Sequence, residues 1–247
     1  MKKLGLIGFP LGHSFSKKYY LEKFQQEDIN DVDYDLYPIE HISDFVPIYS
    51  DKDFYGVNVT IPYKIEVMRY LDELSEEAKS IQAVNCVRIM HSDDGSVYLK
   101  GYNTDAYGFE TSLKPLLTPK DQKALVLGNG GAAKAVIYAL NQLNIAYKLV
   151  SRTKQADHYT YEELDASILS EYTVIINCSP VGTYPNITAC PKLPYEYINE
   201  NHLCYDLIYN PEETAFLRKG REQGARTKNG YEMLQLQAEK NWEIWNS

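Results

Sequence analysis

Hydrophobic residues recur along this chain with two different grammars. Up to about residue 105, short runs such as "KLGLIGF", "VDYDLYPI", "FYGVNVTI", "AVNCVRIM" and "VYLKGYN" alternate apolar and polar positions or are apolar throughout, as strands do. Helical spacing between them predicts helices at about 16–26, 63–71 and 75–81, so this part reads as an α/β layer of short units. Near residue 121 the pattern changes to strand "KALVLG", glycine-rich turn "GNGGAA", helix "AKAVIYALNQL" and strand "YKLVSRT". Further strands are expected at "YTVIINCS" and "LCYDLIY", with a short one near "ARTKNG". That succession is the βαβ series of a doubly wound parallel sheet. In "YEMLQLQAEKNWEIW", Met233, Leu236 and Trp242 fall at helical intervals and predict a closing helix after Gly230. The helix opened by "NTDAYGFETSL", 103–113, is the expected joint between the two parts.

Composition narrows the function classes. The chain has 247 residues, 44% of them hydrophobic and 24% charged, with no apolar run of membrane-spanning length. A net charge of -9 argues against a nucleic acid held by phosphate neutralisation, but not against a small anionic ligand, which responds to its local site. Met1-Lys2-Lys3 before "LGLIGFPLG" faintly resembles a leader. Gly and Pro interrupt its apolar run, and no small-x-small site follows, so it is read as a first strand. Cys86, Cys178, Cys190 and Cys204 lie far apart without a CxxC pair, as expected of reduced thiols in a cytoplasmic protein. In that setting the sequons "NVT" and "NIT" are chance matches.

In "VLGNGGAAKA", Gly128, Asn129, Gly130, Gly131 and Ala132 lie between an apolar strand and a helix that opens on small residues. Such a turn lets the backbone approach a pyrophosphate while helix N–H groups face the anion. The last glycine of the usual spacing is replaced by Ala133. An NAD site usually carries Asp or Glu after the second strand, for the ribose 2′-hydroxyl. Ser151-Arg152-Thr153-Lys154 stands there instead, and hydroxyls with a guanidinium suit a 2′-phosphate, which favours NADP. Lys154 alone is equally well read as part of a solvated basic loop.

Candidate chemistry in the first part lies where strands end: "GHSFS", "VTIPYK", "AVN" and "GYNTD". Open α/β sheets bind ligands beyond the carboxyl ends of their strands, so these clusters can converge. In "GVNVTIPYK", the expected helix would put Lys64 near its N-terminus, opposed by the helix dipole by about 0.3–1 kcal/mol. A lysine so placed and partly buried is suited to give a proton to a ketone being reduced, with Asp105 to orient it. Taken singly, Lys64 is more readily read as a surface lysine and Asp105 as a helix cap. His13, His41, His91, His158 and His202 are scattered without metal-ligand spacing. Although Ser14 follows His13, no nucleophile elbow surrounds it.

Nine segments in order, "GFPLGHSFS", "GVNVTIPYK", "AVNCV", "GYNTDAYGF", "VLGNGGAAKA", "SRT", "NCSPVG", "YDLIYNPEETAFL" and "NGYEMLQLQA", give the chain a resemblance to the shikimate dehydrogenase family over essentially its whole length. The resemblance implies reversible reduction of 3-dehydroshikimate to shikimate by NADPH, on the way to chorismate and the aromatic amino acids. It implies an α/β fold of two domains. Residues 1–105 with the C-terminal helix 230–247 would bind substrate, and 106–229 would form a Rossmann-type NADP-binding domain. Position by position, Ser14 and Ser16, with Tyr209 nearby, match contacts to the substrate carboxylate. Thr60, Asn85 and Gln237 match contacts to the ring substituents. Lys64 matches the catalytic acid/base and Asp105 its partner, also in the substrate site. Gly128 to Ala132 match the pyrophosphate turn, Ser151, Arg152 and Thr153 the 2′-phosphate loop, and Leu207 and Gly230 the nicotinamide side.

The chain departs from the family pattern at several points. Lys17 replaces a proline, Ser151 an asparagine, Ala156 a basic residue, Thr183 a methionine and Glu232 a small residue, and the chain is somewhat short. A quinate/shikimate dehydrogenase using NAD or NADP, or a non-catalytic ligand sensor on the same scaffold, remain the alternative readings. The expected ligand is a small molecule rather than nucleic acid or a membrane, on a cytoplasmic monomer or homodimer.

Overall fold

The first strand, β1 (Lys2–Gly8), alternates its side chains between two cores: Leu4 and Leu6 face one and Ile7 the other. In this computed structural model, which describes residues 1–12 and 15–247, β1 lies inside a six-stranded mixed sheet. His13 and the predicted substrate contact Ser14 lie outside the described residues. The other strands of that sheet are β2 (Val32–Pro38), β3 (Phe54–Val59), β4 (Glu73–Leu74), β5 (Cys86–His91) and β6 (Val97–Tyr102), in the order β2-β1-β3-β5-β6-β4. β1 runs parallel to β2 and β3, whereas β5 is antiparallel to both β3 and β6. The helices of this part are α1 (Phe15–Gln26), α2 (Phe45–Ser50) and α3 (Glu76–Ile81). Ser75 caps α3 by accepting a hydrogen bond from the Ala78 N–H.

The sequence reading of a helix over 63–71 needs correction. Residues 61–65 form turns, and only Glu66–Tyr70 coil, as a 3-10 helix. The cause is tertiary. The Lys64 carbonyl accepts the Val84 N–H at 2.7 Å and is diverted from an α-helical ladder, so the Met68 N–H turns to Ile65 O at 3.2 Å. Lys64 therefore does not stand at an α-helix N-terminus, and the expected opposition to a helix dipole falls away.

The second sheet is built from β7 (Lys123–Leu127), β8 (Ala146–Ser151), β9 (His158–Thr160), β10 (Val174–Asn177), β11 (Leu203–Asp206) and β12 (Arg226–Lys228). All its pairings are parallel, in the order β12-β11-β10-β7-β8-β9. That is the doubly wound order, with its switch point between β7 and β10. Leu125 and Leu127 face one core, Ala124 and Val126 the other, as expected of a sheet covered on both sides. Around it lie α4 (Thr104–Leu113), α5 (Gly131–Gln142), α6 (Ala166–Glu171), α7 (Ala215–Glu222) and the first part of α8 (Tyr231–Trp245).

The chain divides into Met1–Thr104 with Ala238–Ser247, and Asp105–Gln237. One border thus falls inside α8, between Gln237 and Ala238, eight residues later than a segment starting at Gly230. Packing explains the position. Met233 belongs to the core of Phe109 and Leu113, and its carbonyl would lie 2.5 Å from any Cβ at Gly108. Ala238 and Trp245 instead join the core of Leu4, Tyr20 and Tyr34. Gly56 on β3 is a requirement of that docking, since a Cβ there would come within 2.2 Å of the Trp245 ring, whose Nε1 donates to Val87 O at 3.0 Å.

Candidate active site

Strand directions gather most of the first part's candidate residues at one sheet edge. β1 and β3 are parallel, so Gly8 and Val59 end together, while Cys86 at the start of β5 pairs with Asn58 and with Tyr102 at the end of β6. The loops carrying Thr60, Lys64, Asn85 and Asn103 therefore leave from the same edge. Thr60 is held by its N–H to Ile7 O at 3.0 Å, and its methyl lies where a side chain at Gly8 would go, 2.5 Å from the ideal Cβ. Tyr63 is buried, its hydroxyl donating to Ile39 O at 2.8 Å, and it anchors the turn from which half-buried Lys64 projects.

Asn85 is buried and doubly engaged by Thr104. Its Oδ1 accepts the Thr104 N–H at 2.7 Å and its Nδ2 donates to Thr104 Oγ1 at 3.0 Å. Asn103, also buried, donates to Ala83 O at 3.0 Å. Ser16 lies in the first turn of α1, and the hydroxyl of buried Tyr34 donates to Asn58 Oδ1 at 2.7 Å. Lys17, a departure from the family pattern, is matched by Asp35 at 2.6 Å and holds that carboxyl below its usual range. Its charge is therefore spent locally on β2.

In the second part, Asp105 sits in the first turn of α4, where the amide ends favour a carboxylate. Gln237 is buried in α8, donating to Leu234 O at 3.0 Å, whereas Tyr209 is exposed. The carboxyl edge of the parallel sheet carries the nucleotide candidates. Gly128, at φ 98°, follows β7, and its N–H donates to Val150 O at 2.9 Å, tying the glycine turn to the strand that delivers Ser151. α5 begins at Gly131 with no side chain capping its amides. Nothing lies within 4 Å of an added Cβ at Gly130 or Gly131, so this helix start is open to a phosphate group.

The loop after β8 divides its work. Ser151 is buried, and its hydroxyl donates to Thr153 O at 2.7 Å, which shapes the loop and leaves Arg152 exposed. Lys154 is turned aside: its ammonium pairs with Glu163 at 2.6 Å and donates to His158 O at 3.1 Å. Leu207 and Gly230 meet closely, since a Cβ at Gly230 would lie 2.0 Å from Leu207 O. Glu232 is paired with Lys228, which neutralises another departure from the family pattern. The residues present thus fit a dinucleotide with a 2′-phosphate.

The sequence reading missed two polar networks. One joins Tyr34, Asn58, Asn85, Thr104 and Asn241 in the first part. The other joins Asn177, Ser179, Asp206 and Thr214 at the ends of β10 and β11. Polar residues closing otherwise apolar strands, as in "VIIN" and "LCYD", were the available signal. Among the described residues no group of three His, Cys, Asp or Glu is placed to hold a metal, and no helix is long and apolar enough to cross a membrane.

A family model described as the shikimate dehydrogenase substrate binding domain matches residues 6–87. The chain is 40% identical over 258 residues to a shikimate dehydrogenase (NADP(+)) of Clostridium beijerinckii, covering 99% of this chain and 92% of the relative. A protein of the same name from Methanococcus aeolicus is 35% identical over 260 residues, covering 99% and 91%. Among solved structures, shikimate 5-dehydrogenase of Thermus thermophilus in complex with NADP(H) and shikimate is 29% identical with a TM-score of 0.84, covering 99% of this chain and 93% of that one. Identity at this level, sustained along almost the whole length, is more than a shared fold requires: the chain belongs to the shikimate dehydrogenase family.

Proposed function

We propose that the protein catalyses the reversible NADPH-dependent reduction of 3-dehydroshikimate to shikimate, in chorismate and aromatic amino acid biosynthesis. The observation that carries this reading is the near full-length identity to shikimate dehydrogenases (NADP(+)). In support, the glycine turn and the Ser151–Thr153 loop share one edge of a doubly wound sheet.

When bound, NADPH supplies the hydride. Lys64 gives a proton to the carbonyl oxygen as it becomes the alcohol and takes it back in the reverse direction, with Asp105 as its partner. Ser14, Ser16 and Tyr209 hold the substrate carboxylate, and Thr60, Asn85 and Gln237 the ring substituents. Gly128 to Ala132 receive the pyrophosphate at the start of α5. Arg152 with Thr153 binds the 2′-phosphate, on a loop shaped by Ser151. Leu207 and Gly230 line the nicotinamide side. The working form is a cytoplasmic monomer or homodimer.

Purified protein given shikimate and NADP should generate NADPH absorbance. Lys64→Ala should lower kcat by about 100-fold or more, the usual worth of a positioned general acid, without loss of nucleotide binding. Near-normal turnover by that variant would remove Lys64 from its assigned role. Parallel assays with quinate and with NAD measure the specificity.

A further inference from the structure

A directional chain of buried hydrogen bonds runs from the last helix to a candidate substrate residue. Tyr20, Asn85, Thr104 and Asn241 are all at most 3% exposed. The Tyr20 hydroxyl donates to Ala238 O at 2.8 Å and ties α1 to the last helix three residues before Asn241. Asn241 turns its Oδ1 toward Thr104, whose hydroxyl donates to it at 2.6 Å. A hydroxyl has one proton. With that proton committed to Asn241, Thr104 Oγ1 meets the Asn85 Nδ2 as an acceptor at 3.0 Å, while the Thr104 N–H occupies Asn85 Oδ1 at 2.7 Å. Without Asn241, the same hydroxyl could turn its proton to Asn85 Oδ1, 3.2 Å away, and desert the amide nitrogen.

We propose that Asn241 is a positioning residue of the substrate site: through the Thr104 hydroxyl it holds the Asn85 side-chain amide in a single orientation. The proposal rests on the reading of Asn85 as a substrate contact. Asn241 acts through Thr104, from which it lies 137 residues away in sequence. An amide secured at both ends loses less freedom when it engages a ligand, so loosening it weakens substrate binding while nucleotide binding stays intact.

Asn241→Leu, close in volume, should raise the KM for shikimate about tenfold, the factor that about 1.4 kcal/mol represents, and leave the KM for NADP within about twofold. In an Asn85→Ala background the same substitution should add nothing, because the residue through which it acts is gone. An equal effect in both backgrounds, or an unchanged shikimate KM in folded Asn241→Leu, overturns the proposal. Should that variant fail to fold, Thr104→Val and Thr104→Ser interrogate the same link. Valine should reproduce the KM rise and serine should restore the wild-type value; wild-type behaviour of valine overturns the proposal. A substrate-free readout separates this idea from the functional reading. The Asn85 side-chain NH2 resonances, assigned by their loss in Asn85→Ala, should exchange faster with solvent in Asn241→Leu, and unchanged exchange refutes the link. If the wild type does not turn over shikimate at all, the functional reading fails and the amide signals alone decide the link.

Discussion

The Thr214 hydroxyl donates to the carboxylate of Asp206 at 2.6 Å, in a site where both residues are fully buried. Asp206 also accepts from the Ile208 N–H and from Asn177, so one side chain ties together the loops that follow β10 and β11. Burial outweighs these donors and pushes its pKa up to about 6. Nearby Cys178, Cys204 and Tyr195 are held neutral by burial and bring no compensating charge.

The native protein therefore keeps a proton on Asp206 between about pH 4 and 6, where the unfolded chain, at the ordinary aspartate value of 3.8, has lost it. With more protons bound in the native state, this group's contribution to stability falls as pH rises through that window. The loss is on the order of 3 kcal/mol, from a shift of about two pK units. Asp206→Asn should flatten that slope. Urea unfolding of both proteins at pH 4 and pH 7 checks it, and parallel pH dependences would contradict the assignment.

Gly230 should tolerate no side chain. Alanine there would drive its Cβ into the Leu207 backbone, 2.0 Å from the carbonyl oxygen, and backbone cannot step aside as a flexible side chain would. Gly230→Ala is expected to cost about 1–3 kcal/mol, as overpacking usually does, and to raise the KM for NADP through displacement of Leu207. Chemical denaturation and steady-state kinetics on the same preparation measure both effects.

The two basic residues of the nucleotide loop should behave differently. Arg152→Ala should raise the KM for NADP well above any change for NAD, as expected of a group that meets the 2′-phosphate. Lys154→Ala should leave the KM for NADP within about twofold, because its ammonium is already paired with Glu163. A large effect of Lys154→Ala on NADP alone would show that the pair opens when nucleotide binds.

Much of the architecture was legible in periodicity. The strands around "LGLIG" and "ALVL" and the glycine turn before α5 follow from alternation and from the need of a tight βα turn for small residues. The candidate residues Thr60, Lys64, Gly128 and Arg152 were legible for the same reason, since strand ends are where an α/β sheet receives ligands. The three-residue strand β9 was not, because so short an edge strand has only its neighbour β8 to pair with in the sheet.

By itself, the amino-acid sequence determined where apolar faces alternate, where the chain must turn, and which polar residues stand at strand ends, because these are properties of near neighbours in the chain. Only the tertiary structure decided the partners. Val84 took the Lys64 carbonyl and kept the following residues from becoming an α-helix. Asp35 took Lys17, Glu163 took Lys154, and Asn241 came from the far end of the chain to orient Thr104. A buried donor or acceptor pairs with whatever group packing brings within about 3 Å, and that approach is set by the docking of whole elements.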